Sequence, residues 1–265
     1  MGARAIWKGV LRFGSTAVPV KFYAAVRDRK VHFRLLHKKD HVPVSQKMVN
    51  PKTGEVVPYE DIHRGYETED GAIVLLTREE LESLEPEPSR EIAVTRFVDP
   101  GRINHQWYDR PYYMGPDTDP EAYLAFAKAL EVEKKEGFAR WTMRKKRYIG
   151  ALRAENGCLK MITLRHAGEV IQASELPRPE GRALDQQEIR MAEQLVRALE
   201  GDFDPTAYRD EYRERVQAFV KTKARGGTVE FKKIEEKKPK VVSLTDLLKQ
   251  SIRQAREEKK ERKIA

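Results

Sequence analysis

Cysteine is nearly absent, for Cys158 is the only one in 265 residues. One thiol excludes an internal disulfide framework and the Cys-rich kind of zinc site. Long apolar runs are missing as well. No stretch approaches the roughly 18 residues a membrane helix needs, and Lys8 and Arg12 interrupt the start, so neither a membrane partner nor a secretory leader is expected. The expected compartment is the cytoplasm, at the nucleoid. Nor is there a phosphate-cradling glycine loop, a dinucleotide fingerprint or a nucleophile elbow. His37 and His41 have the spacing of a zinc-protease helix, but Lys38 stands where that motif has its general-base Glu, and Pro43 ends any helix early. Cys158 follows an Asn-Gly turn without a His-rich context, which argues against a catalytic thiol. No catalytic residue, metal or cofactor is expected.

What the chain has is charge. Lys and Arg number 51 against 42 Asp and Glu, a net +9. The distribution is uneven. Residues 1–50 carry +9, residues 51–100 carry −8, and the last 45 carry +8, which leaves the first 220 close to neutral at +1. That division predicts a body with a basic and an acidic face, followed by a basic tail.

The first half reads mainly as strands. Residues Ile6 to Phe13 alternate, with Trp7, Leu11 and Phe13 on one side and Lys8 and Arg12 on the other. Pro19–Val26 and Val31–Leu36 are further extended runs. Asp70-Gly71 and Asn156-Gly157 are two-residue hairpin signals, the second joining Arg147–Ala154 to Leu159–Leu164. Seven or more short strands without a βαβ rhythm predict an antiparallel barrel or sandwich. Thr77 and Glu80 form a capping box for a short helix, and Asp119-Pro120 opens another with Tyr123, Phe126, Ala127 and Leu130 on one stripe. Asp185 with Glu188, Asp204-Pro205, and Ser243 with Asp246 open three more. The expected layout is α+β and β-rich. It has a body over 1–180, a helical arm over 181–228, and a basic linker with one last helix over 229–265. The arm either folds back on its own body or embraces a second copy.

The cations point to a polyanion. Residues Arg140 to Arg147 read as one strand with Arg140, Arg144 and Lys146 on one face and Trp141 and Met143 on the other. Lys8, Arg12 and Lys21 repeat that arrangement near the start, and Arg34, His37, Lys38 and Lys39 add a cationic loop. Taken singly, each strand is a solvated face; together they suit phosphates. No helix-turn-helix, RNP motif or zinc finger is present to read bases, so binding by shape or ends is expected.

The chain resembles the bacterial Ku family of DNA double-strand-break end-binding proteins. The residues that carry the resemblance are Arg4-Ala5-Ile6-Trp7-Lys8-Gly9, Phe13-Gly14, Pro19-Val20-Lys21, His37-Lys38-Lys39-Asp40 and Gly65-Tyr66-Glu67. It continues through Phe97-Val98-Asp99, Asp109-Arg110-Pro111-Tyr112-Tyr113, Phe203-Asp204-Pro205 and Asp210-Glu211-Tyr212. The resemblance implies a Ku-type antiparallel β-barrel core with a bridging arm. It implies a homodimeric ring threaded on double-stranded DNA ends, and recruitment of the multifunctional ATP-dependent DNA ligase of bacterial non-homologous end joining. One departure stands out: some relatives have a CxxC-like pair after the HKKD stretch, whereas Met48 to Gly54 has none. The phosphate contacts expected are Lys8, Arg12, Lys21, Arg34, His37, Lys38, Lys39, Arg140, Arg144 and Lys146, with Lys232, Lys233, Lys237 and Lys238 as a cationic tether. The stripe Leu244, Leu247, Leu248 and Ile252 on the last helix is the expected ligase-docking element. Two alternatives stay open: a DNA-end-processing lyase acting through a channel lysine, and a chromatin-like binder that works through its Lys-rich tail.

Overall fold

The computed structural model describes residues 4–178, 181, 183–227, 248–249 and 251–253. The chain divides into two units, Met1–Arg29 with Phe33–Glu175, and Lys30–His32 with Leu176–Ala265.

The first unit is built on a closed barrel of seven strands. These are β1 (Trp7–Phe13), β2 (Thr16–Ala24), β5 (Glu91–Val98), β6 (Tyr108–Pro116), β7 (Glu136–Met143), β8 (Lys146–Glu155) and β9 (Cys158–Leu164). A hairpin of β3 (Arg64–Glu67) and β4 (Ile73–Leu76) stands apart as a two-stranded sheet. Around the barrel the order is β1-β2-β6-β9-β8-β7-β5. Every pairing is antiparallel except β1 with β5, which closes the barrel in parallel. Closure removes the exposed edges that an open sheet would present.

Alternation makes the core. Leu11, Val18, Val20, Phe22, Ile92, Met114, Leu152, Leu159 and Met161 point inward and are almost wholly shielded from solvent. Each contributes roughly 1.5–3 kcal/mol on burial. Helix α2 (Pro120–Glu133) follows, with Asp119 accepting from the Ala122 N–H and Pro120 in the first turn. Its predicted stripe of Tyr123, Phe126, Ala127 and Leu130 is the buried face. Phe126 stacks on Phe13 with centroids 4.2 Å apart. The Tyr123 hydroxyl donates to the Met114 carbonyl (2.5 Å) and accepts from the Leu159 N–H (2.8 Å). Burial pushes this phenol up to about 12. The Asn156-Gly157 turn forms as expected, with φ of 53° and 71°, the left-handed pair that matches strand twist.

The segment between β2 and β5 is different in kind. It contains β3, β4 and the six-residue helix α1 (Arg78–Ser83), opened by the Thr77–Glu80 capping box as expected. No strand forms over Val31–Leu36, contrary to the sequence reading. A single bridge joins Leu36 to Pro43, and Phe33 and Leu35 are each 67% exposed. Alternation without a neighbouring strand to accept its hydrogen bonds leaves the run irregular.

The second unit contains α3 (Gln186–Ala198) and α4 (Glu211–Ala224). Asp185 and Glu188 cap α3 reciprocally, as predicted. Asp204-Pro205 does not open a long helix. The Asp204 carboxylate accepts from the Thr206 N–H and hydroxyl, closing a single 3₁₀ turn over Pro205–Ala207. Tyr208 is then extended, and the helix starts only after Asp210. Of the last helix, residues 248–249 and 251–253 are helical, and Leu244 and Leu247 lie outside the described residues. No helix among the described residues is long and apolar enough to cross a membrane.

Candidate nucleic-acid interface

The outer wall of the barrel gathers cations from distant parts of the chain. Lys8 on β1 and Lys21 on β2 are directly opposed. Like charges in that position repel, and Asp117 offsets the repulsion by reaching both, at 3.1 Å from Lys8 and 2.8 Å from Lys21. The hydrogen bonds from Lys21 and then Lys8 hold the Asp117 carboxyl below its ordinary range. The same bond raises Lys21 above its ordinary value.

A second row runs across β1, β5 and β7. Arg12 is level with Ala93, and Ala93 with Arg140. The two arginines are therefore about 10 Å apart by ordinary strand spacing, with only a methyl group between them. Arg12 is paired with Glu91 at 3.3 Å. The Arg140 guanidinium lies 6.0 Å from the centre of the Phe138 ring.

Arg144 and Lys146 require correction. Residues 140–147 are not one strand but a hairpin, in which Arg144 and Lys145 form the turn with φ of 50° and 64°. Counting odd and even positions through a turn reverses the faces. Lys146 pairs with buried Met143, so it lies at the barrel end on the core side, whereas Arg147 pairs with Thr142 and shares the outer face with Arg140. Reading the stretch as one strand thus leaves out Arg147, which lies on the outer face, and Lys145, which lies in the turn. The signal was Tyr148, which stacks on buried Trp141 at 5.4 Å and so fixes Arg147 outward. Lys145 reaches Glu85 at 2.8 Å, and that ion pair raises its pKa.

The predicted loop cluster forms a built turn. The His37 Nδ1 is 2.8 Å from Asp40. Asp40 also accepts from the Val42 N–H (3.1 Å), and these two bonds, the backbone one first, hold its carboxyl low. The His37 N–H donates to Val42 and the His41 N–H to His37. The turn closes with Lys38 and Lys39 exposed at its tip and Arg34 exposed before it. His37 thus braces the tip. The arrangement is a turn rather than the helix face that paired zinc ligands need. Lys232, Lys233, Lys237 and Lys238 lie outside the described residues.

The outside of the barrel thus carries Lys8 and Lys21 on β1 and β2, Arg12 and Arg140 in the row across β1, β5 and β7, and Arg147 on β8, spread around the closed wall. The loop holds Lys38 and Lys39 at its tip, with Arg34 before it. Cations of this kind have the chemistry to neutralise and position phosphates, and no base-reading helix-turn-helix or zinc finger stands beside them among the described residues. The family model described as the Ku70/Ku80 beta-barrel domain matches residues 12–191. The chain is 38% identical over 226 residues to the non-homologous end joining protein Ku 2 of Geotalea uraniireducens, over 85% of this chain and 88% of that one. It is 36% identical over 256 residues to the protein named non-homologous end joining protein Ku in Anaeromyxobacter, over 96% and 86%. The protein of that name in Mycobacterium tuberculosis is 35% identical over 231 residues, 84% of each chain. A barrel of this order, matched by the family model over most of its length and by relatives at these identities, makes the chain a member of the Ku family.

Proposed function

We propose that the chain acts in non-homologous end joining as a homodimeric ring that threads onto double-stranded DNA ends without reading sequence. In the same proposal it recruits and stimulates the ATP-dependent ligase of that pathway. The observation that carries this reading is the cationic barrel wall, where Lys8, Lys21, Arg12 and Arg140 are set by strand register. Phosphate contacts of that kind bind any sequence. The dimer is supported by apolar side chains left in water. Phe33, Leu35, Ile73 and Leu75 in the segment between β2 and β5 are each at least 66% exposed, and Val196, Leu199 and Tyr212 on or beside the helices of the second unit at least 62%. Apolar side chains exposed to this extent are what a partner chain would cover, and they support the dimer reading.

A lyase reading gains nothing from Lys21 or Lys145. A Schiff-base lysine needs a lowered pKa, and Lys21 and Lys145 are raised by their carboxylates. The deciding experiment compares a linear duplex with a covalently closed circle of the same sequence. A ring binds the linear form and leaves the circle essentially unbound, and equal affinity for both overturns the proposal.

A further inference from the structure

A cleft of about 680 Å³ lies on the outer barrel wall beside Lys21, and the contacts described above leave it unused. That volume falls within the roughly 300–1,000 Å³ of small-ligand sites. Tyr23 and Tyr113 are directly opposed on β2 and β6, and both line the cleft with Gly115, Cys158, Arg27 and Arg29. The Tyr23 ring lies across Gly115, where an added Cβ would stand 3.1 Å from its Cε2. Glycine at that position lets the ring lie close over the β6 backbone, with its face along the wall of the cleft. Tyr113 is 42% exposed, with the Lys160 ammonium 5.8 Å from its centre. Arg27 and Arg29 are exposed at the rim and have no ion-pair partner among the described residues.

Flat aromatic walls beside unpaired guanidinium groups suit a ligand that is planar at one end and anionic at the other. We infer that this cleft takes an unpaired nucleotide, the base against the tyrosines and the phosphate at Arg27 and Arg29. Stacking on aromatic side chains beside cations is how single strands are held without sequence preference. The inference rests on the reading that the barrel wall meets DNA and deepens it. A terminus with a single-stranded overhang has a contact that a blunt terminus lacks.

Cys158 supplies the readout. It is the only thiol in the chain, half-buried in the wall of the cleft. Alkylation of the whole protein by iodoacetamide, followed by mass spectrometry, therefore reports on this cleft alone. Saturating duplex with a short oligothymidine overhang is expected to slow alkylation about tenfold, the scale of one stacked base, and the blunt duplex by less than about twofold. Tyr113→Ala, at an exposed position, and Arg29→Ala should each abolish the difference while the blunt duplex still binds in a gel-shift assay. Equal protection by the two duplexes overturns the inference, as does protection that survives Tyr113→Ala. A thiol unreactive in the free protein also overturns it, because the cleft is then filled by protein. Failure of both duplexes to bind overturns the DNA-end reading itself, a separate outcome read in the gel-shift arm.

Discussion

Lys8 and Lys21 share one carboxylate, and that sharing sets how much of their charge a polyanion meets. With Asp117 ionised the trio carries a net single positive charge; without it, two. Asp117→Asn should therefore tighten binding to linear duplex. It should also steepen the slope of log affinity against log salt by about 0.9, the release expected for one further phosphate. An unchanged slope would take these lysines off the DNA. The same carboxylate predicts a pH effect. Its folded pKa lies below the ordinary 3.8. Its pairing therefore contributes stability in full above that value and loses it as pH falls through the lower folded value. The Asn variant, which lacks this titration, should show a shallower acid limb in denaturation followed from pH 5 to pH 2. The contribution is small because Lys8 is exposed and the half-buried Asp117 and Lys21 still reach solvent that screens them.

The turn between β7 and β8 departs from its own best chemistry. At the same bend between β8 and β9 the chain uses Asn156-Gly157, residues that accept positive φ at little cost. Arg144 and Lys145 adopt nearly the same angles, and the left-handed region costs a residue with a Cβ about 1–2 kcal/mol. The Lys145–Glu85 pair is too exposed to repay this. Strain retained at a tip that carries two cations fits a functional role. Arg144→Asn with Lys145→Gly is expected to raise stability by about 1 kcal/mol in urea melts. It should also flatten the salt slope of DNA binding by up to about 1.8, two phosphates' worth. A fall in stability would refute the strain account, and an unchanged slope would place the tip away from DNA. This element also marks where the sequence was legible. Capping boxes and the Asn-Gly turn could be read because donor, acceptor and φ requirement lie within four residues of one another. The alternation of β1 and the stripe of α2 could be read because period follows from geometry. The Arg12–Ala93–Arg140 row and the Lys8–Asp117 contact, 109 residues apart, depend on barrel register, which no local pattern encodes. Val31–Leu36 failed for a related reason: alternation shows that a run can be a strand, not that a partner exists to pair with it.

At the scale of the whole molecule, the net +9 separates into parts with different physical roles. Residues 229–265 hold 12 basic and 7 acidic side chains, so a chain cut after residue 228 keeps a net positive charge and the complete barrel wall. Preference for ends, if it comes from threading, is topological and belongs to the folded body. Attraction from a tail is electrostatic, acts on any duplex, and is screened within about 10 Å at 0.1 M salt. The truncated chain should therefore bind linear duplex more weakly and with a shallower salt slope, yet still reject the closed circle. Loss of all binding would instead make the tail the binding element and the body its carrier. Ligase stimulation separates the last helix from the charge around it. Leu248 and Ile252 lie on its described part, both half-buried, and Leu247→Asp with Leu248→Asp removes apolar surface while leaving every lysine in place. If the helix docks the ligase by its apolar stripe, that variant loses stimulation at fixed ligase concentration while its affinity for linear duplex stays within about twofold. Stimulation that persists in the double variant but disappears on truncation would assign recruitment to the cationic tether.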